Sequence, residues 1–506
     1  MLRFDLDEPI LKIGKNQVPW TMGNSFEGLQ IFGGIGSGKT SGSGRFFALK
    51  YLSKGYGGLV LTVKSDEKQD WIEYAKLTGR YNDLIIVEPK GSKYFNFLDY
   101  ETTHSNKKSY SENILQVLKT VIKASEEKAT GKNNDPFWEN ALDMLISNTI
   151  DLSLLAYNKI SIEHLYDIAR SASRYKKPQE NKDSKEKKEN KAKPPVFKIA
   201  LDVVEKGIQK AIEDTIAEFG REYITNLDQK AFDELLLKKI PHAREFNYIQ
   251  EFFNETYAEL SEKTKSIVDF SFTGFLYRLL KDPIYSLFCS NPSNFTPEDC
   301  LKGKIILINL PVKHYHKVGR DTQIMFKYIW QRAMERRNVR ENERPVFLWA
   351  DEAQNFLHEY DAEYQATARS SRIATVYISQ NIPNYYANMA GVNGEYKVKS
   401  FLGTLATKVF HANADIETNQ FASTLIGEEY RAEETEARSI VDGQVTVTKT
   451  IAPKLDKMVR PEVFNTLLTG GNKNQFKITA YLHAQGMKLR DGFSYDKIRF
   501  DQNFVP

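Results

Sequence analysis

Short, largely apolar runs of strand length occur in two separate stretches of the chain. In the first, residues 29–32, 58–63 and 84–87 form such runs, and apolar residues recur at helical spacing around 71–77. Runs without polar alternation are what strands buried on both faces require, and alternating strand and helix is the order of a parallel sheet. The second stretch repeats the rhythm: 304–310, 346–349, 373–378 and 407–410 predict strands, with a helix over 321–337. From about residue 105 to 299 the rhythm disappears. There, Phe137, Ala141, Leu142, Leu145 and Ile146 predict one helical face, and Ile267, Val268, Phe270, Phe275 and Leu279 another, with Phe270 fitting imperfectly. The expected fold is an α/β domain in two halves, 1–104 and 300–506, interrupted by an all-α insertion at 105–299. No internal repeat is visible.

Composition narrows the class. Hydrophobic residues make up 41% and charged residues 27% of the 506 residues, so the chain can bury a sizeable core and is not disordered as a whole. At about 150 residues per domain, two or three units are expected. Mean hydropathy is −0.49. No apolar run approaches 18 residues, which excludes a conventional spanning helix, and the N-terminal residues lack the basic-then-apolar order of a secretory signal. Cys289 and Cys300 are too few for a disulfide framework or a zinc site, and are expected as buried free thiols in a reducing, cytoplasmic setting. The net charge is +4, but it is local. Of 70 basic and 66 acidic residues, 9 and 4 fall between Arg174 and Lys193, leaving 61 against 62 elsewhere. That segment, 174–195, is too polar to offset its ordering entropy and is expected as a mobile loop. Its lysines alternate with glutamates, so charge alone does not argue for a nucleic-acid surface.

Immediately after the first apolar run comes Gly33-Gly-Ile-Gly-Ser-Gly38-Lys39-Thr40, a match to G-x-x-x-x-G-K-[ST]. The chemistry explains the composition. Gly33, Gly34, Gly36 and Gly38 let backbone amides curl round a polyphosphate, with Ser37 and Ser41 in the same wall. A helix beginning near Lys39 adds its positive end. Lys39 would reach the β and γ phosphates, and the Thr40 hydroxyl would ligate Mg²⁺. The sequence is not a dinucleotide fingerprint, because Lys39 or Ser41 stands where the third glycine belongs.

Such a loop needs a second strand, placed beside it in the sheet and ending in an acid. The run at 346–350 leads straight into Asp351 and Glu352. Asp351 would support the metal, and Glu352 would polarise the attacking water. Alternatively, the two acids cap a helix starting at Ala353. The strand at 373–378 ends in Ser379-Gln380, and Gln380 could orient water or report loss of phosphate. Arg369 and Arg372 precede that strand, and in an oligomer one of them could stabilise charge in a neighbour's site. No Asn-Lys-x-Asp guanine-reading motif occurs, so ATP is expected rather than GTP.

Together, the loop at Gly33–Thr40, Trp349-Ala-Asp-Glu-Ala-Gln-Asn355 and the segment 369–380 resemble the TraG/TraD-type coupling ATPases of conjugation and type IV secretion, within the wider FtsK/HerA group of DNA motors. Lys64, Tyr94-Phe-Asn96-Phe-Leu98-Asp99, Asp135-Pro-Phe-Trp138, Ser261-Glu-Lys-Thr264 and Asp282-Pro are lesser echoes. The similarity runs from about residue 28 to 482, with firm motifs only in the two flanking halves. It implies a RecA-like P-loop domain, ATP and Mg²⁺ as cofactors, a hexamer around DNA, a relaxase or secretion-channel partner, and Arg369 in preference to Arg372 as the trans arginine. Two features depart from the family. No transmembrane helices precede the loop, which implies membrane contact through a separate protein. The second strand ends Thr62-Val63-Lys64, where the family often has an acid before the lysine. The resulting expectation is an ATP-driven DNA translocase or coupling protein. The alternatives are a nucleotide-dependent recruitment adaptor and a protein-secretion ATPase that does not move DNA.

Overall fold

The computed structural model describes residues 4–104, 110–130, 136–174, 194–389, 393–441 and 444–506. The charged stretch 174–195 therefore lies almost wholly outside the described residues. The chain divides into two compact units: residues 1–86, 127–131 and 297–506 form the first, and 87–126 and 132–296 the second. Among the described residues, no helix is long and apolar enough to cross a membrane.

Thirteen strands are described: β1 (Pro9–Ile13), β2 (Val18–Thr21), β3 (Leu29–Phe32), β4 (Gly57–Leu61), β5 (Leu84–Val87), β6 (Ile305–Ile308), β7 (Val346–Ala350), β8 (Ile373–Ser379), β9 (Thr407–Phe410), β10 (Glu428–Val441), β11 (Gln444–Lys457), β12 (Lys477–Ala484) and β13 (Tyr495–Asp501). Nine of them form one sheet in the order β13-β12-β9-β3-β8-β7-β4-β6-β5. From β9 through β6 neighbouring strands are parallel, whereas β12 pairs antiparallel with β9, and β13 with β12. The sheet is thus mostly parallel, as the apolar runs predict.

The side-chain alternation of a strand divides the core between the two faces. On one face Ile31, Val60, Phe347, Trp349, Val376 and Ile378 join Phe47, Leu52 and Trp71 in a single apolar cluster. These last three come from the helices Arg45–Ser53 and Glu67–Leu77. On the other face Tyr377 meets Phe401 edge-on at 5.0 Å, and Tyr385 donates from its hydroxyl to Gln30 Oε1 at 2.9 Å. A helix predicted over 321–337 is observed as Val312–Glu335, with a break in helical geometry at His316.

The order corrects one expectation. The acid-bearing strand β7 is not the neighbour of β3; β8 lies between them. Apolar content fixes which segments become strands, but not their lateral order, because β3, β4, β6, β7, β8 and β9 are all buried on both faces.

The second unit is helical. Its long elements include Pro136–Tyr157, Ile162–Ala172, Val196–Phe219 and Glu262–Leu279. The helix Phe97–His104 also belongs to it, so this unit begins before residue 105. Ser261 caps the last of the long helices by accepting from Thr264 N at 3.2 Å, which gives the Ser261-Glu-Lys-Thr264 echo a local structural role. Val268, Phe275 and Leu279 are buried, but Phe270 is 79% exposed and Ile267 and Phe137 are also exposed. The predicted apolar face is narrower than its sequence pattern, because Ile267 and Phe270 fall outside the arc that Val268, Phe275 and Leu279 share.

Behind the sheet, one ion pair ties the helix Val312–Glu335 to the helix Asp361–Ala368 that leads into β8. Lys327 Nζ lies 2.7 Å from both Asp361 oxygens, and neither side chain is exposed. Gln331 Nε2 and the His358 amide also donate to Asp361, at 2.9 and 2.8 Å. Burial lowers the Lys327 pKa, and the Asp361 charge offsets this only in part. Burial opposes ionisation of Asp361, but His358 and Lys327 outweigh it and hold that carboxyl below its ordinary range. Removing one partner strands the other charge in the interior. Lys327→Met should therefore cost about 3–5 kcal/mol in urea unfolding. A loss under about 1 kcal/mol would show that Asp361 does not depend on its ion pair.

Candidate functional site

The carboxyl ends of the parallel strands converge on the turn that follows β3. Its Gly33 amide donates to Ser379 O at the end of β8, and its Gly34 amide to Ala412 O just beyond β9, at 3.2 and 2.8 Å. The turn is thereby suspended between its two neighbouring strands. Gly36 and Gly38 have φ of +71° and +81°, a region costly for any residue with a Cβ. At Gly33, a Cβ would lie 2.4 Å from Ser37 Oγ and 2.9 Å from His411 Cβ. The glycines are geometric requirements of this turn.

The helix that follows does not begin as an α-helix. Thr40–Gly44 form one wide π turn before the α-helix Arg45–Ser53. Gly42 and Gly44 allow close approach: a Cβ on Gly42 would lie 2.5 Å from Ile478 Cδ1, and one on Gly44 would lie 3.1 Å from Lys39 O. Ser41 Oγ accepts from Gln502 Nε2 at 2.7 Å, so the C-terminal segment braces this turn.

Across the cleft stand the acids. Thr40 Oγ1 donates to Asp351 Oδ2 at 2.9 Å. Lys39 Nζ lies 3.8 Å from Glu352 Oε1, and Gln380 Nε2 donates to that same oxygen at 3.1 Å. Gln354 Nε2 donates to Glu352 Oε2 at 2.9 Å. Five of the predicted site residues, Lys39, Thr40, Asp351, Glu352 and Gln380, thus form one contact network. The interposed strand β8 is what brings Gln380 next to the glycine turn.

Glu352 occupies left-handed backbone geometry, with φ of 48° and ψ of 50°. Non-glycine residues held there cost free energy and concentrate at functional sites. Glu352 heads only the short turn Ala353–Asn355, and its side chain makes no capping hydrogen bond. The capping alternative for these acids is therefore not what forms.

The environment separates the two carboxyls. Burial raises the pKa of Asp351, as does the neighbouring Glu352, while Lys64 and Lys39 oppose the rise. Burial acts in the same sense on Glu352, but hydrogen bonds from Gln354 and Gln380, together with Lys39 and Lys64, bring it below the ordinary carboxylate range. The surroundings thus favour the charged form of Glu352 more than that of Asp351.

The donor set fits a triphosphate with a divalent cation. Ser37 Oγ and Glu67 Oε1 are buried without a partner among the described residues, and both line the 390 Å³ cleft shared by the turn and Asp351. Thr40 and Asp351 could hold the metal, with Lys39 and the turn amides on the phosphates.

Some members of the site were not singled out in the sequence. Glu67 accepts from the Val63 amide at 2.9 Å, and burial followed by Asp351 pushes its carboxyl up to about 8. Asn413 Nδ2 donates to Gln380 O at 2.8 Å. His411 Nε2 and Ser43 Oγ share a hydrogen bond at 2.7 Å beneath the turn. The available signal was positional: His411 and Asn413 follow an apolar strand on its carboxyl side, as do Asp351 and Gln380. The two arginines lie elsewhere. Arg369 and Arg372 precede β8, at the end of that strand opposite Gln380, and neither joins the network. Arg369 pairs with Glu27 at 3.2 Å with its side chain 73% exposed. Arg372 donates to Glu343 O at 3.1 Å and is largely covered.

Burial, followed by the charge of Lys39, lowers the His411 pKa to about 3, so the folded protein holds it neutral. A folded pKa below the unfolded value makes this contribution complete above about pH 6.5, and acid removes it at about 1.4 kcal/mol per pH unit. His411→Gln should therefore narrow its stability deficit against wild type by about 2 kcal/mol between pH 7 and pH 5. A deficit independent of pH, measured by denaturant titration at both values, would contradict this.

Solved structures share this fold. The bacterial conjugative coupling protein TrwBdeltaN70, in its unbound form, superimposes with a TM-score of 0.57 at 12% identity, covering 99% of this chain and 90% of that one. Plasmid coupling protein TrwB in complex with ADP and Mg²⁺ gives 0.55 at 13% identity, covering 99% and 91%. Its complex with the ATP analogue ADPNP gives 0.56 at 13%, with the same coverage. At these identities the likeness establishes the fold. No curated protein matches the sequence. The family model described as type IV secretory system conjugative DNA transfer matches residues 5–462, a span that includes the glycine turn, the paired acids and Gln380, and the chain accordingly belongs to that family.

Proposed function

We propose that the protein is a Mg²⁺-dependent ATPase that acts as a coupling protein in conjugative DNA transfer, moving or recruiting DNA to a transport channel. The observation that carries this reading is the joint grip of Thr40 and Lys39 on Asp351 and Glu352, with Gln380 on the same carboxylate. Bound Mg²⁺ would neutralise charge on the β and γ phosphates, held by Thr40 and Asp351. Lys39 reaches the phosphates from the turn. Glu352, ionised and anchored by Gln354, accepts a proton from the attacking water. Gln380 links that carboxylate to Asn413, a position from which loss of the γ phosphate can be felt by β8 and by the segment after β9.

In this reading the unit made of residues 1–86, 127–131 and 297–506 is the nucleotide-binding domain, and the helical unit faces the substrate. Arg369, exposed and remote from its own site, serves a neighbouring subunit, and Arg372 is held too firmly to do so. The assembly is a homo-oligomer, a hexamer by family resemblance. A relaxase or channel protein is the cargo partner, and membrane contact is made through a separate protein.

ATP turnover measured with and without single- and double-stranded DNA, alongside native mass with nucleotide bound, tests this reading. DNA stimulation is expected. Turnover indifferent to DNA, with no DNA binding at low salt, would move the assignment to a recruitment adaptor or a protein-secretion ATPase. Lys39→Ala should abolish turnover. Glu352→Gln should retain ATP while slowing cleavage on the order of a hundred-fold or more, and rapid hydrolysis by that variant would reassign the base. Arg369→Ala should lose activity only in the assembled protein. Mixing it with Glu352→Gln should then restore some turnover through hybrid boundaries, and no restoration would count against a trans role.

A further inference from the structure

β4 and β7 lie side by side with Leu61 level with Ala350, so the segment leaving β4 starts at the same height as Asp351. That segment turns at once into the helix Glu67–Leu77. Glu67, its first residue, folds back over the connection, and its Oε2 accepts from the Val63 amide at 2.9 Å. The other oxygen, Oε1, is buried without a hydrogen-bond partner among the described residues, and the whole residue is only 7% exposed. A buried acceptor without a donor is costly, so such an oxygen marks a place where a bound group supplies one.

Glu67 borders two spaces. One is the open 390 Å³ cleft of the glycine turn. The other is a cavity of 20 Å³ walled by Trp71, Tyr74 and Trp349, with room for about one water. Thr40 and Asp351 line both spaces together with Glu67.

Positive charge is short there. Asp351 takes hydrogen bonds from the Thr40 hydroxyl and the Glu352 amide, and Glu67 from the Val63 amide, all of them neutral donors. Lys64 is within electrostatic reach of both carboxyls, but among the described residues no cation forms an ion pair with either. Of the other bases lining the cleft, Lys39 pairs with Glu352 and Arg45 with Glu73. Two buried carboxyls beside a threonine hydroxyl suit a divalent cation that takes oxygen ligands. Mg²⁺ usually keeps several of its waters, and groups one shell out orient them.

We infer that Glu67 is a positioning residue for the metal, a role that rests on the Mg²⁺-ATP reading of this site. Its free oxygen accepts a hydrogen bond from a water of the cation held by Thr40 and Asp351, and so sets affinity for the cation and not for the nucleotide. A brace for the connection after β4 would need only Oε2.

Mn²⁺ in place of Mg²⁺ makes this measurable in the full chain with ADP, without turnover. Electron paramagnetic resonance of free Mn²⁺ gives the metal affinity of the ADP complex. ADP binding in EDTA reports that each variant folds and holds nucleotide. Glu67→Gln keeps an oxygen for the Val63 amide and should weaken Mn²⁺ binding about tenfold or more, with ADP binding in EDTA unreduced. Glu67→Asp keeps the charge but draws it back, and should lose part of the metal affinity; it decides the matter if Glu67→Gln does not fold. Water proton relaxation should find as many waters on bound Mn²⁺ in Glu67→Gln as in wild type. An extra water in the variant would make Glu67 a direct ligand and overturn the positioning role. Asp351→Asn is the reference. Wild type with no ADP-dependent Mn²⁺ site would overturn the nucleotide reading, and this role with it. Metal affinity lost in Asp351→Asn but intact in both Glu67 variants would leave that reading standing and overturn this role alone.

Discussion

Thr40 and Asp351 are separated by more than three hundred residues, and the hydrogen bond between them requires that two strands end at one level. The register supplies this. Phe32 is level with Ser379, and Ala350 with Tyr377, so Asp351 and Glu352 emerge where β8 delivers Gln380 and β3 turns into its glycines. A shift of one residue in any of these three strands would turn the polar group at its end into the sheet or away from the cleft. The site is a property of sheet register before it is a property of any side chain.

Placing two carboxylates and two lysines in a partly dry cleft is electrostatically costly, and the surroundings resolve the cost by dividing the roles. Glu352 receives two amide donors and remains charged. Asp351 is more deeply buried and receives the Thr40 hydroxyl, a ligand set that a cation can complete. Below the turn His411 is kept neutral, so no further positive charge competes with Lys39. The Lys327–Asp361 pair on the far face has a different role: it fixes the helix that feeds β8, and with it the strand carrying Gln380. In the proposed reading, the exposed arginine at the opposite end of β8 would serve a neighbouring subunit's site and not its own.

The elements that form the site were legible because their signals are local. A glycine at φ of +71° is a constraint of its own backbone, and a buried strand is apolar along its own length. So the strands at 29–32, 84–87 and 407–410 and the phosphate turn can be read directly, and the acid pair and Gln380 follow as the polar ends of apolar runs. Local pattern does not carry lateral strand order, which is why β8 between β3 and β7 was not foreseen. Nor does it tell that Phe270 faces water, that Glu67 lines the cleft and His411 lies beneath the turn, or that Arg369 is exposed while Arg372 is covered. Those depend on which surfaces meet across hundreds of residues, and packing and charge burial between distant segments decide them.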